Sequence, residues 1–328
     1  MTRPTPFTEL GHGITCIDAD FHRPGMAACY LMVEGSRAAF IETGTRYSVA
    51  AMVQALEHNR ILPTEVEYVI ITHVHLDHAG GAGQLMQLMP NAKLVVHPRG
   101  ARHMIDPSKL TESAKQVYGE AAFLRTYGSI EPIAAERVIE TQDEDILSLN
   151  GRPLQFFDTQ GHAKHHFCVW DAHSRGIFTG DTFGISYREL DYQGKHFLFP
   201  TTTPTQFDPE QAHKTVDRLA GLHPQQLYLT HFGMIPFERR LVEDMHRQLQ
   251  HIELFTRAAP EDKTQRAHYL RQACIEMYRS ELMNIGHPST QAAQLVEQWL
   301  MMDMEINAQG LEVWLEIVAQ QRAKGVVA

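Results

Sequence analysis

The sequence predicts an α/β protein: a layered body made of two successive αβ halves, followed by an all-helical region. Three observations predict it. Short β-branched apolar runs alternate with amphipathic stretches of helical period through the first two thirds of the chain. The alternation occurs in two series, separated by a broken helical stretch around 99–128. Strand signals stop at Phe237, and helical periodicity alone continues from there. The expected organisation is therefore a first domain over 1–235, with a helical insertion at 99–128 and a long loop at 184–209, and a C-terminal helical region over 236–328.

The elements follow in order. Between Gly13 and Thr43 the runs ITCID, ACYLMVE and AAFIET, separated by Gly, Pro, Arg and Ser, read as hairpin-connected strands. Ser48 to Asn59 reads as a helix that Ser48 can cap, with Val49, Met52, Val53 and Leu56 on one stripe. Val66 to Thr72 is short, β-branched and apolar on both faces, as a strand inside a covered sheet should be. Ala79 to Met89 reads as a helix and Lys93 to His97 as a strand. Strand signals return at Leu154–Thr159, His166–Trp170 and Gly176–Thr179. Gly184 to Pro209 is rich in aromatic residues and long for a loop, which argues for an ordered, functional segment. Pro209 to Leu222 then reads as a helix and Gln226 to Thr230 as a strand.

In the last part Leu241, Met245, Leu249 and Ile252, and later Leu295, Trp299, Met302 and Ile306, recur at helical spacing. Five methionines lie between Met277 and Met304. They read either as the core of a helical appendage or as an adaptable apolar surface for a second subunit, so a homodimer through these helices is one expectation.

Composition narrows the class. A chain of 328 residues has room for about two domains. With 43% hydrophobic and 21% charged residues it is neither disordered nor collagen-like. A formal charge of -10 repels phosphate backbones and anionic membranes, so neither nucleic acid nor membrane is expected as a partner. No apolar run approaches the roughly 18 residues that span a bilayer. The opening MTRPTPFTELGHGITCID lacks the apolar core of a secretory signal. Cys16, Cys29, Cys168 and Cys274 show no C-x-x-C spacing and read as buried reduced thiols, consistent with a cytoplasmic location.

Histidine is the informative residue, with 20 against 10 tyrosines. Thr72 to Gly81, THVHLDHAGG, directly follows the buried strand VEYVII. His73, His75 and Asp77 recur at period 2, with His78 adjacent, so an irregular loop at a strand end can aim two sets of ligands at neighbouring points. Burying three imidazoles and a carboxylate there without partners would be costly, which favours a metal site. His162, Asp181 and His231 each stand at the end of a further predicted strand, at spacings of 84, 19 and 50 residues from His78 onward. Strand ends on one rim converge.

These motifs resemble those of the metallo-β-lactamase superfamily, whose H-x-H-x-D-H signature stands here as His73-Val74-His75-Leu76-Asp77-His78. The resemblance covers about residues 10–235, with the later histidine, aspartate and last histidine in family order. It implies a four-layer αβ/βα sandwich, with 1–235 as the catalytic domain. It also implies that His73, His75 and His162 hold one metal, that Asp77, His78 and His231 hold a second, and that Asp181 bridges them. This full ligand set is similar to that of the thioesterase, lactonase, phosphodiesterase and RNA-processing branches. It departs from the flavin di-iron branch, which needs Glu where His75 stands, and Val74 interrupts the three successive histidines of glyoxalase II.

The chemistry so implied is that of a dinuclear metal hydrolase, in which a bridging hydroxide attacks a small ester, thioester or lactone. Asp77 could pass a proton to the leaving group, and Tyr187, on the loop leaving Asp181, could donate to a developing oxyanion. Phe183, Tyr192 and Phe199 are further candidates for lining the pocket, or else pin the loop. Five imidazoles and two carboxylates suit zinc first, with iron or manganese also compatible. His165 and His166 follow His162 closely, but alternation turns one of them away. Three other functions share the motif set: a small-molecule phosphodiesterase, an iron-dependent redox enzyme of the persulfide dioxygenase type, and a non-catalytic regulator with an inherited metal site.

Overall fold

The computed structural model describes residues 6–202 and 206–323, so the outermost residues of both expected domains and 203–205 of the expected loop lie outside the description. Contacts divide the chain into two units. The first comprises the chain up to Asp158 together with His165–Gly180 and Pro224–Phe237; the second comprises Thr159–Lys164, Asp181–His223 and the chain from Glu238 onward.

Among the described residues, every strand lies in the first unit. β1 (Phe7–Gly11), β2 (Ile14–Asp18), β3 (Ala28–Glu34) and β4 (Arg37–Ile41) form an antiparallel run. α1 (Val49–His58) leads to β5 (Val66–Ile70), and α2 (Leu76–Ala79) and α3 (Ala82–Leu88) lead to β6 (Lys93–Val96). α4 (Pro98–Ile105), α5 (Ser108–Tyr118) and α6 (Glu120–Thr126) precede β7 (Val138–Glu140). β4 to β7 are parallel, as strand–helix–strand crossovers require, so the first sheet runs β1 to β7 in sequence order.

The second sheet contains β8 (Ile146–Leu149), β9 (Arg152–Asp158), β10 (Phe167–Asp171) and β11 (Gly176–Gly180), and then β12 (Gln226–Leu229) and β13 (Gly233–Pro236). Only β11 and β12 pair in parallel. The facing sides of the two sheets share one apolar core, with Tyr30, Ile41 and Ile70 on one side and Phe156, Phe167 and Phe178 on the other. Tyr30 donates its hydroxyl to the carbonyl of Leu229, joining the sheets near the edge where the ligand loops leave. A buried pair, Arg152 with Asp171, anchors the far part of the second sheet.

The expected Ala79–Met89 helix is two helices, α2 and α3, broken at Gly80 and Gly81. A Cβ on Gly81 would stand 2.6 Å from the Thr43 carbonyl oxygen and 2.7 Å from that of Thr45, so only glycine lets the ligand loop close against the β4 exit. The expected insertion at 99–128 is three short helices, α4 to α6.

The second unit contains α7 (Pro209–Gly221), α8 (Arg239–Arg257), α9 (Lys263–Ile285), α10 (Ser289–Leu295) and α11 (Met301–Ala323), with a π turn at Val296–Leu300 before α11. Asp208 caps α7 by accepting from Gln211 N at 3.1 Å, and Asp262 caps α9 by accepting from Gln265 N at 2.9 Å. Leu241, Met245, Leu249 and Ile252 are all buried, as their spacing predicts. Of the C-terminal methionines, Met277 and Met304 are buried, whereas Met283 and Met302 are exposed.

The long loop is ordered by this helical layer. Thr202 N donates to Asn307 Oδ1 at 2.8 Å, Tyr278 donates its hydroxyl to the Pro200 carbonyl at 3.0 Å, and Gln248 Nε2 donates to the Leu198 carbonyl at 2.8 Å. Among the described residues, no helix is long and apolar enough to cross a membrane. All four cysteines are buried thiols.

Candidate metal centre

The centre begins where parallel strands β4 and β5 end side by side, with Ile41 paired to Ile70. Glu42 follows β4 and adopts φ +64°, a conformation that costs a non-glycine residue energy and turns the chain away from the sheet. Its carboxylate is almost wholly buried and accepts several hydrogen bonds: from Thr72 N at 3.3 Å, from Thr230 Oγ1 at 3.1 Å, from the Thr72 hydroxyl, and from His78 Nδ1 at 3.1 Å. One buried acid thus ties together the ends of β4, β5 and β12. Glu42 is absent from the motif, yet it organises the residues that are in it. Its signal in the sequence is an acidic residue closing an apolar strand, AAFIET, where no solvent-facing role is evident.

His75 stands at the N-cap of α2, and the helix places Asp77 and His78 in its single turn. The turn is locked because Thr43 N and Thr43 Oγ1 both donate to the His78 carbonyl, at 2.8 and 2.7 Å. His231 follows β12, and its Nδ1 lies 2.7 Å from the Met26 carbonyl. A carbonyl can only accept, so Nδ1 of His231 carries a proton, and Nε2 is the ring atom left to ligate a metal ion. The Glu42 carboxylate imposes the same tautomer on His78.

Both Nε2 lone pairs then face the Asp77 carboxylate. Nε2 of His231 lies 3.3 Å and Nε2 of His78 3.7 Å from Asp77 Oδ2, and ligand atoms of all three residues fall within 4.8 Å of one another. Lone pairs and an anion turned toward one point suit a divalent cation, and outer carboxylate or carbonyl partners that fix the histidine ring are the usual support for such a site. The donor set fits a metal ion.

His73 and His75 form a second pair. Nε2 of His73 lies 2.9 Å from Nδ1 of His75, with the rings edge to face and the His73 Nδ1 3.1 Å from the Thr72 hydroxyl. In the second unit, His162 and Asp181 are brought together, Nε2 to Oδ2 at 3.5 Å, both buried. Gly161, at φ +130°, precedes His162 and packs so closely on Ala212 that a Cβ would stand 2.6 Å from its Cα.

The neighbouring histidines separate by role. His166 is wholly buried beside Gly180, whose φ is +50° and where an added Cβ would lie 2.4 Å from His166 Nε2 and 2.5 Å from Thr72 Oγ1. It packs the strand end that leads into Asp181. His165 lies with its ring 5.7 Å from that of His75 and 6.2 Å from that of His73, and burial, reinforced by His75, pushes its pKa down to about 3. It is a neutral imidazole. His97 caps α4 by accepting from Arg99 N at 3.1 Å.

Tyr187 is buried in the second unit, and its hydroxyl donates to Asp303 Oδ1 of α11 at 3.0 Å. Phe183 and Phe199 are also buried, the latter 5.9 Å from the Tyr187 ring. Tyr192 packs 4.6 Å from His287.

The chain belongs to the metallo-beta-lactamase superfamily, whose family model matches residues 22–231. It is 26% identical over 242 residues to a metallo-beta-lactamase fold-containing protein of Sulfurisphaera tokodaii, covering 73% of this chain and 83% of that one. It is 25% identical over 187 residues to the human acyl-coenzyme A thioesterase MBLAC2, covering 53% of this chain and 64% of the relative. Among solved structures, a metallo-beta-lactamase superfamily protein from Sulfolobus tokodaii superposes with a TM-score of 0.62 at 23% identity, over 92% of this chain and 99% of that one. A metallo-beta-lactamase family protein from Thermus thermophilus gives a TM-score of 0.65 at 18% identity, over 95% of each chain. The fold is the four-layer αβ/βα sandwich of that superfamily, with a C-terminal helical region. Family and donor groups together support a metal-dependent hydrolase.

Proposed function

We propose that the chain hydrolyses a small ester, thioester or lactone with the help of two divalent metal ions. The observation that carries the reading is the pair of fixed tautomers: His78 held by Glu42 and His231 held by the Met26 carbonyl, both presenting Nε2 to Asp77. Relatives described as an acyl-coenzyme A thioesterase, an atrochrysone carboxyl ACP thioesterase and a hydroxyacylglutathione hydrolase support the acyl-transfer chemistry over the phosphodiesterase and redox alternatives.

In this proposal Asp77, His78 and His231 hold one ion, His73, His75 and His162 hold the other, and Asp181 serves both. Bound divalent ions would acidify water and polarise the acyl oxygen that gains negative charge. Zinc is the first choice for five imidazoles and two carboxylates, and iron or manganese would be held by the same donors. Asp77 is half-buried, and its carboxylate would take a proton from the attacking water and return it to the leaving group. Glu42 and the Met26 carbonyl accept from Nδ1 of the two imidazoles and so keep Nε2 of each ring turned toward Asp77. Tyr187 enters as a positioning residue that ties its loop to Asp303.

The test is metal content together with turnover of an ester, thioester and lactone panel on freshly purified protein. The expected result is two equivalents of metal and acyl hydrolysis, with Asp181→Ala losing both. One equivalent of iron with oxygen uptake, or turnover of phosphodiesters alone, would overturn the reading.

A further inference from the structure

Away from the residues assigned to the centre, a further group of imidazoles and carboxylates lies within the second unit, between α7 and α8. His213 and Asp217 stand four positions apart on α7, and His246, Gln250 and Glu253 recur at spacings of 4 and 3 on α8. Such spacings put each set on one face of its helix. The two faces meet histidine to histidine, with Nδ1 of His213 2.6 Å from Nδ1 of His246. The ring planes are inclined by only 13°, with centroids 4.8 Å apart. Stacked faces need about 3.5 Å between planes, so nearly parallel rings whose nitrogens lie 2.6 Å apart meet edge to edge. The two Nδ1 atoms therefore point at each other.

The outer nitrogen of each ring faces a carboxylate. Nε2 of His246 lies 2.8 Å from Asp217 Oδ1, and Nε2 of His213 lies 3.6 Å from Glu253 Oε1. A carboxylate accepts, so Nε2 of His246 carries a proton. The more distant Glu253 favours a proton on His213 Nε2 by its charge. Each neutral ring then turns a lone pair inward, and two lone pairs at this separation repel unless a cation lies between them. A carboxylate that holds the outer nitrogen while the inner one ligates is the usual support of a metal-bound histidine. Burial, and after it His246, lowers the His213 pKa, which keeps that ring neutral at pH 7.

The place is also open to an ion. Both histidines, with Asp217, Glu253 and Arg257, line a surface cleft of about 560 Å³. The two histidine side chains are each 29% exposed, so their torsions can part the nitrogens. Two ligands of a tetrahedral zinc ion stand about 3.4 Å apart, an opening of less than about 1 Å from the pair as it stands. Charge favours a cation: Asp217 and Glu253 bring two negative charges, whereas Arg257 is engaged by Glu253 at 3.4 Å and lies over the Trp314 ring at 5.3 Å.

We propose that His213 and His246 form a further metal site, which takes a borderline divalent transition ion such as zinc or copper(II) through their Nδ1 atoms, with water filling the remaining positions. Imidazole suits these ions, whereas magnesium and calcium prefer oxygen ligands. With two protein ligands the site binds more weakly than the centre and fills when metal is added beyond the centre's own content. A bound ion ties α7 to α8 through side chains 33 positions apart. The proposal is independent of what the centre hydrolyses.

The test is zinc binding to the full-length chain without a histidine tag, followed by calorimetry and equilibrium dialysis, with magnesium as the control. The unaltered protein is expected to take up one equivalent beyond those of the centre. His213→Gln and His246→Gln, both at half-exposed positions, are each expected to lose that equivalent and keep the others. Asp217→Ala retains both ligands but releases the His246 ring, and should bind the added equivalent about tenfold more weakly. Excess zinc should raise the melting temperature of the unaltered protein more than that of either Gln variant. Diffraction at the zinc edge gives a readout that needs no variant, a peak between the two Nδ1 atoms. Equal zinc uptake by the unaltered protein and both Gln variants, or no peak between the rings at saturating zinc, overturns the site and leaves a pair that shares a proton.

Discussion

Replacing Glu42 by Gln isolates the buried carboxylate that the ligand motif does not contain. The side chain keeps its size, so no cavity forms, but one acceptor oxygen becomes an amide donor. In the native arrangement Oε1 serves His78 Nδ1, the Thr72 hydroxyl and the Thr230 hydroxyl, while Oε2 serves Thr72 N. An amide can satisfy one of these two faces only; the other sets an N–H against donors. With the oxygen toward Thr72 N, His78 loses its acceptor and can move its proton to Nε2, which removes the lone pair aimed at Asp77. With the oxygen toward His78, the charge that strengthens that hydrogen bond is gone. Loss of such an outer partner typically weakens metal binding about 10- to 100-fold, or about 1.4 to 2.7 kcal/mol. The assay is competition against a chromophoric chelator at fixed ionic strength, with circular dichroism to show that the fold is intact. Unchanged affinity in a folded Glu42→Gln protein would refute the claim that this carboxylate fixes the His78 ring.

Two further expectations concern stability. Arg152→Met breaks a pair whose side chains are almost fully buried, a change that ordinarily costs about 3–5 kcal/mol; because Asp171 keeps Ser174 N at 3.1 Å and His173 N at 3.2 Å, the loss should lie near the lower end, read as a fall in the denaturant midpoint. Burial works to raise the Asp171 pKa, but Arg152 and Ser174 outweigh it and hold the carboxyl below its ordinary value. Its stabilisation is therefore complete above the ordinary carboxylate range and is lost as pH falls through the lowered value, and Arg152→Met should flatten that acid limb. A variant as acid-sensitive as the parent would contradict this. Gly180→Ala puts a methyl group against His166 and Thr72 at a φ of +50°, so it should both destabilise the protein, by more than about 1 kcal/mol, and weaken metal binding. Thermal melts and metal titration check the two effects, and a neutral outcome in both would refute the close-packing argument.

Much of this architecture is legible in the sequence, and the omissions have physical causes. The ligand loop is readable because His73, His75, Asp77 and His78 crowd a strand end where they would be costly without a cation. Strands with strong apolar patterns, such as Ala28–Glu34 and Val66–Ile70, are readable from local composition. β7 is short and partly exposed, and β13 is GMIP, so neither has enough apolar pattern to announce itself. Phe7–Gly11 is an edge strand with two exposed polar positions, and it shows no clear alternation. Glu42 leaves only a faint trace, an acid closing an apolar strand, because its role comes from donors on Thr72, His78 and Thr230, whose convergence depends on the register of two sheets. The Tyr187–Asp303 hydrogen bond joins residues 116 positions apart, a separation over which side-chain pairing leaves no trace in a single sequence.

The most direct test is a crystal grown with excess zinc, with diffraction recorded on both sides of the metal absorption edge. The account predicts an anomalous peak within coordination distance of Asp77, His78 Nε2 and His231 Nε2, and a second about 3.5–4 Å from it that is shared with His73 and His75. A map with no peak beside Asp77, or with His78 bound to its Glu42 side through a flipped ring, would contradict it.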